Sequence, residues 1–309
     1  MKFRTKLLGV LTACLLLVVS VLAGGCGSTT SNTVAYLNYN GDDGFCTMLA
    51  DAFKAKAQAD GTEVLYYDAK NDVALQIDQM NEAMDKGVKT IVLLAVDPDL
   101  LVPTVEKANA AGINVVTVNR GLNGGKYVGV YSDDKKGGEM QAEYMAEKLP
   151  PNAKICYLRG PNGSKDANNR LEGFMTVLKQ KRPDVQVLDQ AVAAWSDTNA
   201  MKITANWLSI FPQIDGIAAA NDSMALGAVA ALKLAGKQDV VVCGLDAVDD
   251  ALKAVQAGDM GLTLKQDAVE EGEATYDLAK QAMSGTMPGE GYTAKFTAIT
   301  KDNVSQFLK

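Results

Sequence analysis

The sequence predicts an α/β protein built from two doubly wound parallel-sheet lobes. Short apolar runs such as TVAYLNYN and TIVLLAV alternate with longer amphipathic stretches such as GFCTMLADAFKAKAQADG. The short runs are apolar on both faces, which is typical of parallel strands that helices cover. The same alternation restarts near residue 138, and the chain is longer than one hydrophobic core usually supports. Two consecutive series of this kind predict two lobes.

The N-terminus indicates secretion. A head with three basic residues precedes an apolar, uncharged run at 7–23, and two glycines lead to Cys26. This pattern is typical of a signal peptide over residues 1–25, and the run is shorter than the ~20 residues that a membrane span needs. The stretch LAGGC resembles the lipoprotein processing box, so we expect Cys26 to be lipidated. An uncleaved anchor helix is the alternative. The prediction is an extracytoplasmic body, tethered by a polar linker at 26–32 to the outer face of the membrane.

The composition argues against nucleic-acid binding and against most enzyme chemistry. The formal net charge is −7 at pH 7, and no basic stripe is available to neutralise phosphates. Histidine is absent, which removes the usual general base, the Ser–His and Cys–His pairs and the commonest metal ligand. We expect no cofactor and no metal, and we interpret Cys46, Cys156 and Cys243 as small core residues.

Planar polar and aromatic side chains follow the predicted strands of both lobes. Ligands of doubly wound sheets bind outside the carboxyl ends of the strands. The candidates for a binding site are therefore Asp43, Phe45, Asn119, Arg120, Asp166, Arg170, Trp195, Asn221, Asp246 and Gln266. Their chemistry suits a small neutral polyol, because Asp, Asn and Arg can each engage two adjacent hydroxyls. The two rings would cover the apolar C–H faces.

Six of the ten candidates also have a purely structural interpretation. Asp166 and Arg170 stand four residues apart, as in a surface ion pair that supports a helix. The other structural interpretations are an N-cap for Asp246, a turn before an N-cap at Asp222 for Asn221, a packing surface for Trp195 and the core for Phe45. The convergence of so many polar groups at strand ends favours the binding site.

The sequence resembles the periplasmic sugar-binding proteins of ABC importers, which have the periplasmic binding protein type I fold. The resemblance covers about residues 33–309, and the stretches that carry it are DDGF, VTVNR, DANNR, the tryptophan at 195, AANDSMALGAVAAL, GLDA and LKQD. The pattern is most similar to the galactose/glucose-binding members, with a ribose-binding feature at Gln266. The resemblance implies that the candidate residues hold a monosaccharide, with Phe45 and Trp195 on opposite sides of its ring.

Departures from these members bear on which sugar is bound. Ser164 stands where galactose-binding members have histidine, and their calcium loop is missing, so we expect no structural calcium. Ribose-binding members have aspartate in place of Asn119 and a second aromatic residue in place of Cys46. The smaller Cys46 leaves more room, which favours an aldohexose such as D-galactose or D-glucose. Ribose or another sugar or polyol is the alternative.

The resemblance also implies a mechanism, in which a monomer closes on its sugar by hinge bending and delivers it to the permease of an ABC transporter. The hinge would lie at three chain crossings, near 132–133, near 266–267 and around Thr297. The expected domains are a signal peptide at 1–25, a linker at 26–32, an N-terminal lobe at 33–132 plus 267–296, and a C-terminal lobe at 133–266 plus 297–309. A sugar-sensing accessory to a chemoreceptor or histidine kinase is the alternative role.

Overall fold

The computed structural model describes residues 32–308. The predicted signal peptide, Cys26 and all of the predicted linker except Asn32 lie outside these residues. Within the described part, no helix is long and apolar enough to cross a lipid bilayer.

The first sheet has six strands, all parallel, in the order β11-β5-β4-β3-β1-β2. Its strands are β1 (Thr33–Asn38), β2 (Glu63–Asp68), β3 (Thr90–Leu93), β4 (Asn114–Val118), β5 (Val128–Ser132) and β11 (Tyr292–Ala294). Four helices belong to this part of the chain, namely α1 (Gly44–Ala59), α2 (Val73–Asp85), α3 (Val102–Ala110) and α9 (Ala268–Met283). Helix α9 packs on α1 and on β3, β4 and β5.

The second sheet has four parallel strands in the order β7-β6-β8-β9. Its strands are β6 (Lys154–Arg159), β7 (Gln186–Val192), β8 (Gly216–Ala219) and β9 (Val241–Cys243). Its helices are α4 (Asp134–Lys148), α5 (Lys165–Lys181), α6 (Asp197–Ile210), α7 (Asp222–Leu234) and α8 (Asp249–Ala257). A short antiparallel pair, β10 (Thr263–Lys265) with β12 (Thr297–Ile299), lies beside the second sheet, and a 3₁₀ turn at Val304–Gln306 follows. Two isolated parallel bridges, Cys243 with Leu262 and Asp246 with Lys265, connect the segment before and within β10 to the end of β9 and the turn after it.

Both faces of the first sheet are covered, as the apolar runs predict. In β1, Tyr36 packs in the cluster on the α1 and α9 side, whereas Ala35 and Leu37 pack in the cluster with residues of α2 and α3. Successive side chains of a strand point to opposite faces, so this alternation buries the sheet on both sides. The predicted α/β class with parallel sheets is confirmed. The thiols of Cys46, Cys156 and Cys243 are buried and form no disulfide within residues 32–308, as expected.

Helices α4 and α5 approach each other unusually closely because each presents a glycine at the contact. A Cβ atom at Gly138 would lie 1.8 Å from the carbonyl oxygen of Arg170, and one at Gly173 would lie 2.0 Å from that of Lys135. No side chain fits at such distances, so glycine lets the two backbones touch. The contact brings the first turn of α4 beside Arg170.

Candidate functional site

The structure brings all ten candidate residues together around one cavity, with Cys46 as a further lining residue. Nine of the candidates follow strands of the two parallel sheets or lie in the first turns of the helices after them, on the side of the carboxyl ends, and Gln266 follows β10. The cavity has a volume of about 30 Å³, on the scale of one or two water molecules. A second cavity of about 590 Å³ shares Asn119, Arg120 and Asp166 with the first and lies between loops of the two sheets.

Two of the candidate residues are also the N-caps of the helices that follow their strands. Asp43 caps α1 by accepting a hydrogen bond from the backbone N–H of Cys46 at 2.9 Å, and Asn221 caps α7 in the same way with Met224 at 3.0 Å. The structural interpretation that placed the N-cap at Asp222 is thus wrong, since Asp222 is the first helical residue. Asp246 caps no helix either, because α8 begins at Asp249.

Arg170 has hydrogen-bond partners at all three of its guanidinium nitrogens. Its guanidinium donates to Asp134 Oδ1 at 2.8 Å, to the carbonyl oxygen of Ala220 at 2.7 Å and to Gln266 Oε1 at 3.0 Å. Asp246 Oδ1 lies 3.9 Å from its Nη1 atom. Arg170 is only 3% exposed, so these partners compensate a charge that has left water.

The interpretation of Asp166 and Arg170 as a surface ion pair is wrong. Both side chains are buried, and Arg170 pairs with Asp134. Asp166 instead faces Arg120, with 3.9 Å between its Oδ2 atom and the Arg120 Nε atom. Each of the two side chains therefore pairs with a charged residue outside α5, and the i, i+4 pair does not form.

Two buried N–H donors at the cavity have no hydrogen-bond partner among the described residues. They are Arg120 Nε and Trp195 Nε1. The Arg120 guanidinium lies over the ring of Tyr39, with its carbon atom 3.9 Å from the ring centroid. A buried donor without a partner costs about 1–3 kcal/mol. A ligand whose oxygen atoms accept from these two donors would remove that cost, which favours its binding.

The backbone is strained where it presents several of these side chains. Asn119, Trp195 and Asp246 have φ values of +60°, +64° and +132°, and Ala194 and Ala247 beside them are also positive. These five make up most of the eight positive-φ residues other than glycine in the described chain. Such backbone conformations are unfavourable and persist only where surrounding contacts hold them, and they are found most often at functional sites.

Asp222 and Thr263 hold the turn that carries Asp246. Thr263 Oγ1 donates to the Asp222 carboxylate at 2.8 Å, Asp222 Oδ2 accepts from the backbone N–H of Val248 at 3.1 Å, and Thr263 Oγ1 accepts from that of Ala247 at 3.2 Å. Burial raises the pKa of Asp222 to about 7. Burial also raises the pKa of Asp246, and the charge of Arg170 opposes this increase.

Sequence reasoning missed four residues that support the site, namely Asp134, Asp222, Thr263 and Glu271. Asp134 comes two residues after β5, so the strand-end rule could have included it. Asp222 was interpreted as an N-cap. For Thr263 and Glu271 the sequence gives no signal, because Thr263 bonds to Asp222, 41 residues away, and Glu271 bonds to Ser132, 139 residues away.

The chain belongs to the periplasmic binding protein family, whose domain it matches over residues 34–287. It is 34% identical over 306 residues to the xylitol-binding protein of Mycolicibacterium smegmatis, an alignment that covers 97% of this chain and 87% of that protein. It is 32% identical over 242 residues to the ribose import binding protein of Bacillus subtilis, covering 78% of each.

Solved structures agree. An ABC transporter solute binding protein from Bacillus halodurans with bound myo-inositol superposes with a TM-score of 0.84 at 30% identity, covering 90% of this chain and 97% of that one. One from Mycobacterium smegmatis with bound glycerol gives 0.85 at 29% identity, covering 90% and 96%. The resemblance to sugar-binding proteins of ABC importers is confirmed, and the chain is an extracytoplasmic solute-binding protein rather than an enzyme.

Proposed function

We propose that this protein captures a monosaccharide, an aldohexose of the D-galactose or D-glucose type, and delivers it to the permease of an ABC transporter. The observation that carries the proposal is the convergence of ten planar polar or aromatic residues around one cavity, nine of them from strand ends of the two parallel sheets and one, Gln266, from the end of β10. The ten candidate residues are the proposed ligand contacts.

The chemistry of the lining supports a neutral polyhydroxylated ligand. Carboxylates and amides accept or donate in pairs, and the unpartnered Arg120 Nε and Trp195 Nε1 donors require oxygen acceptors. Trp195 and Phe45 supply apolar ring surface for the C–H groups of a sugar. The net affinity needed is modest, because a micromolar dissociation constant corresponds to ~8 kcal/mol.

Cys46 supports a six-carbon ligand. It lines the cavity beside Phe45 with a side chain much smaller than an aromatic ring, which leaves space for a larger ligand than ribose. A pentose or other polyol is the second candidate, since relatives are named for xylitol and ribose and a related structure contains myo-inositol.

Binding to all ten candidates needs a wider cavity, because about 30 Å³ is far less than a monosaccharide fills and the adjoining cavity of about 590 Å³ reaches only Asn119, Arg120 and Asp166. We propose that the lobes separate by bending at the three crossings, near 132–133, near 266–267 and around Thr297. The proposed lobes comprise 33–132 plus 267–296 and 133–266 plus 297–309. The distribution of strands between the two sheets supports this division, since β11 joins the first sheet and β12 pairs with β10.

We further propose that the protein acts as a monomer anchored by a lipid on Cys26. The lipoprotein-like LAGGC stretch supports the anchor. Replacement of Cys26 by serine should release the protein from the membrane fraction, and a variant that stays membrane-bound would contradict the anchor.

Calorimetry with D-galactose, D-glucose, D-ribose, xylitol and myo-inositol tests the ligand class. We expect micromolar or tighter binding of at least one of them, with the hexoses strongest. Mass spectrometry of the denatured protein after purification identifies any ligand it has retained. The proposal fails if no compound gives a binding isotherm and no polyol is recovered.

A further inference from the structure

The side-chain amide of Gln266 has partners on both of its ends. Arg170 Nη2 donates to Gln266 Oε1 at 3.0 Å, and Gln266 Nε2 donates to Asn119 Oδ1 at 2.9 Å and to Glu271 Oε1 at 3.1 Å. An amide has its acceptor at the oxygen and its donors at the nitrogen. The Gln266 amide can therefore take only one orientation between Arg170 and the two acceptors. If it were reversed, its N–H groups would face the N–H groups of Arg170, and donors would oppose donors.

The partners of this amide come from both sheets. Asn119 follows β4 of the first sheet, and Glu271 belongs to α9, which packs on that sheet. Arg170 belongs to α5, and Gln266 itself follows β10 beside the second sheet. The Gln266 side chain thus bridges the two halves of the molecule at the point where the chain passes from one to the other.

The Glu271 side chain is fully buried, at 0% exposure, and lines neither of the two cavities. Besides Gln266, its carboxylate accepts a hydrogen bond from Ser132 Oγ, at the end of β5. Glu271 therefore contacts the chain at two of the crossings between the sheets, at Ser132 and at Gln266. A buried carboxylate is costly unless its hydrogen bonds are made, and these two donors provide them.

We propose that Glu271 is a positioning residue of the polyol site, which holds the Gln266 amide in the orientation that presents its nitrogen to Asn119 and its oxygen to Arg170. The inference rests on the proposed function, since Gln266 lines the proposed ligand cavity. It adds a residue that contacts no ligand but fixes one that does.

The test compares three substitutions on α9 in the full chain. Glu271→Met removes the acceptor at nearly constant shape, Glu271→Gln keeps one acceptor oxygen, and Glu273→Met makes the same change at an exposed position of the same helix. The affinity for the polyol that binds best should fall about tenfold in the first variant, the loss expected of one buried hydrogen bond. It should stay within about threefold of the wild type in the other two.

A second measurement needs no ligand. Hydrogen exchange at the Gln266 side-chain amide, followed by ¹⁵N NMR, should be slow in the wild type compared with the exposed Gln58. It should accelerate at least tenfold in Glu271→Met and remain slow in Glu271→Gln. This measurement also separates the two proposals, because a wild type that binds none of the polyols would refute the proposed function while exchange still decides the role of Glu271.

Rapid exchange at the Gln266 side-chain amide of the wild type would overturn the inference. This result needs no variant, so the inference can be tested even if Glu271→Met folds poorly. The inference is also overturned if Glu271→Met matches the wild type in affinity and exchange, or if Glu271→Gln loses as much as Glu271→Met. The inference is supported if Glu271→Met loses polyol affinity and slow exchange at Gln266 while Glu271→Gln retains both.

Discussion

Arg170 Nε donates a hydrogen bond of 2.8 Å to Asp134 Oδ1, and this buried pair joins the first turn of α4 to α5. The glycines at 138 and 173 make the pair possible, because they let the two helices touch. The remaining Arg170 donors reach the Ala220 carbonyl and Gln266 at the cavity. Arg170 is thus held by the scaffold before any ligand arrives.

Replacement of Asp134 by alanine should destabilise the protein by about 3 kcal/mol, because the buried guanidinium of Arg170 loses its charged partner. Chemical denaturation measures this change. Lys135 and Glu172 form an exposed pair between the same two helices, so Glu172→Ala is the matched control and should cost less than about 1 kcal/mol. Equal effects of the two substitutions would contradict the assignment of Asp134 as the essential partner.

Replacement of Trp195 by alanine should weaken polyol binding at least tenfold, about 1.4 kcal/mol, through loss of ring surface and of an N–H donor. Its melting temperature should stay near that of the wild type, because Trp195 is only partly buried. Trp207→Ala is the contrasting variant, since Trp207 is 1% exposed and bonded to Asp189, and it should lower the melting temperature markedly. Unchanged calorimetric affinity in Trp195→Ala would remove this residue from the site.

Replacement of Cys46 by phenylalanine should alter specificity. The larger ring would reduce the space beside Phe45, so affinity for a hexose should fall about tenfold while affinity for ribose falls less. Calorimetry with both sugars gives the ratio. Cys243→Ala changes another buried thiol, one that does not line the cavity, and should leave the ratio unaltered. A hexose affinity that survives Cys46→Phe would argue against the role of this position in ligand size.

Stability should fall as the pH rises from about 4 to about 7. Burial raises the pKa of Asp134 to about 6 and those of Asp222 and Glu271 to about 7, whereas carboxyls in the unfolded chain titrate near ~4. Between these limits the folded protein binds more protons than the unfolded chain, so the free energy of unfolding decreases with increasing pH. Denaturation at pH 5 and pH 8 measures this difference.

Amide substitutions separate the contributions to this pH dependence. An amide releases no proton, so the double variant Asp222→Asn, Glu271→Gln should show a smaller difference between pH 5 and pH 8. Asp184→Asn is the control, because the hydrogen bond from Arg182 lowers the pKa of Asp184 and places its contribution below this range. A double variant with the full wild-type slope would show that other groups carry the effect.

The residues that line the site could be predicted from the sequence, but most of the contacts among them could not. Strand ends could be found from apolar runs, and parallel strands place their carboxyl ends at one edge, so the ten candidates converge as expected. The partners could not be found, because Arg170 reaches Asp134 and Gln266 reaches Asn119 across long separations in the chain. The start of α4 at Asp134 could not be found either, because the charged residues and two glycines at 134–138 have no apolar helical pattern.

Left-handed or related backbone at Asn119, Trp195 and Asp246 restricts the amino acids that these positions accept. Asparagine, aspartate and glycine tolerate such conformations, whereas β-branched residues do not. Asp43 and Cys46, at the beginning of α1, have no such restriction. Diversification of ligand preference, in nature or in the design of biosensors, should therefore proceed most readily through the start of α1.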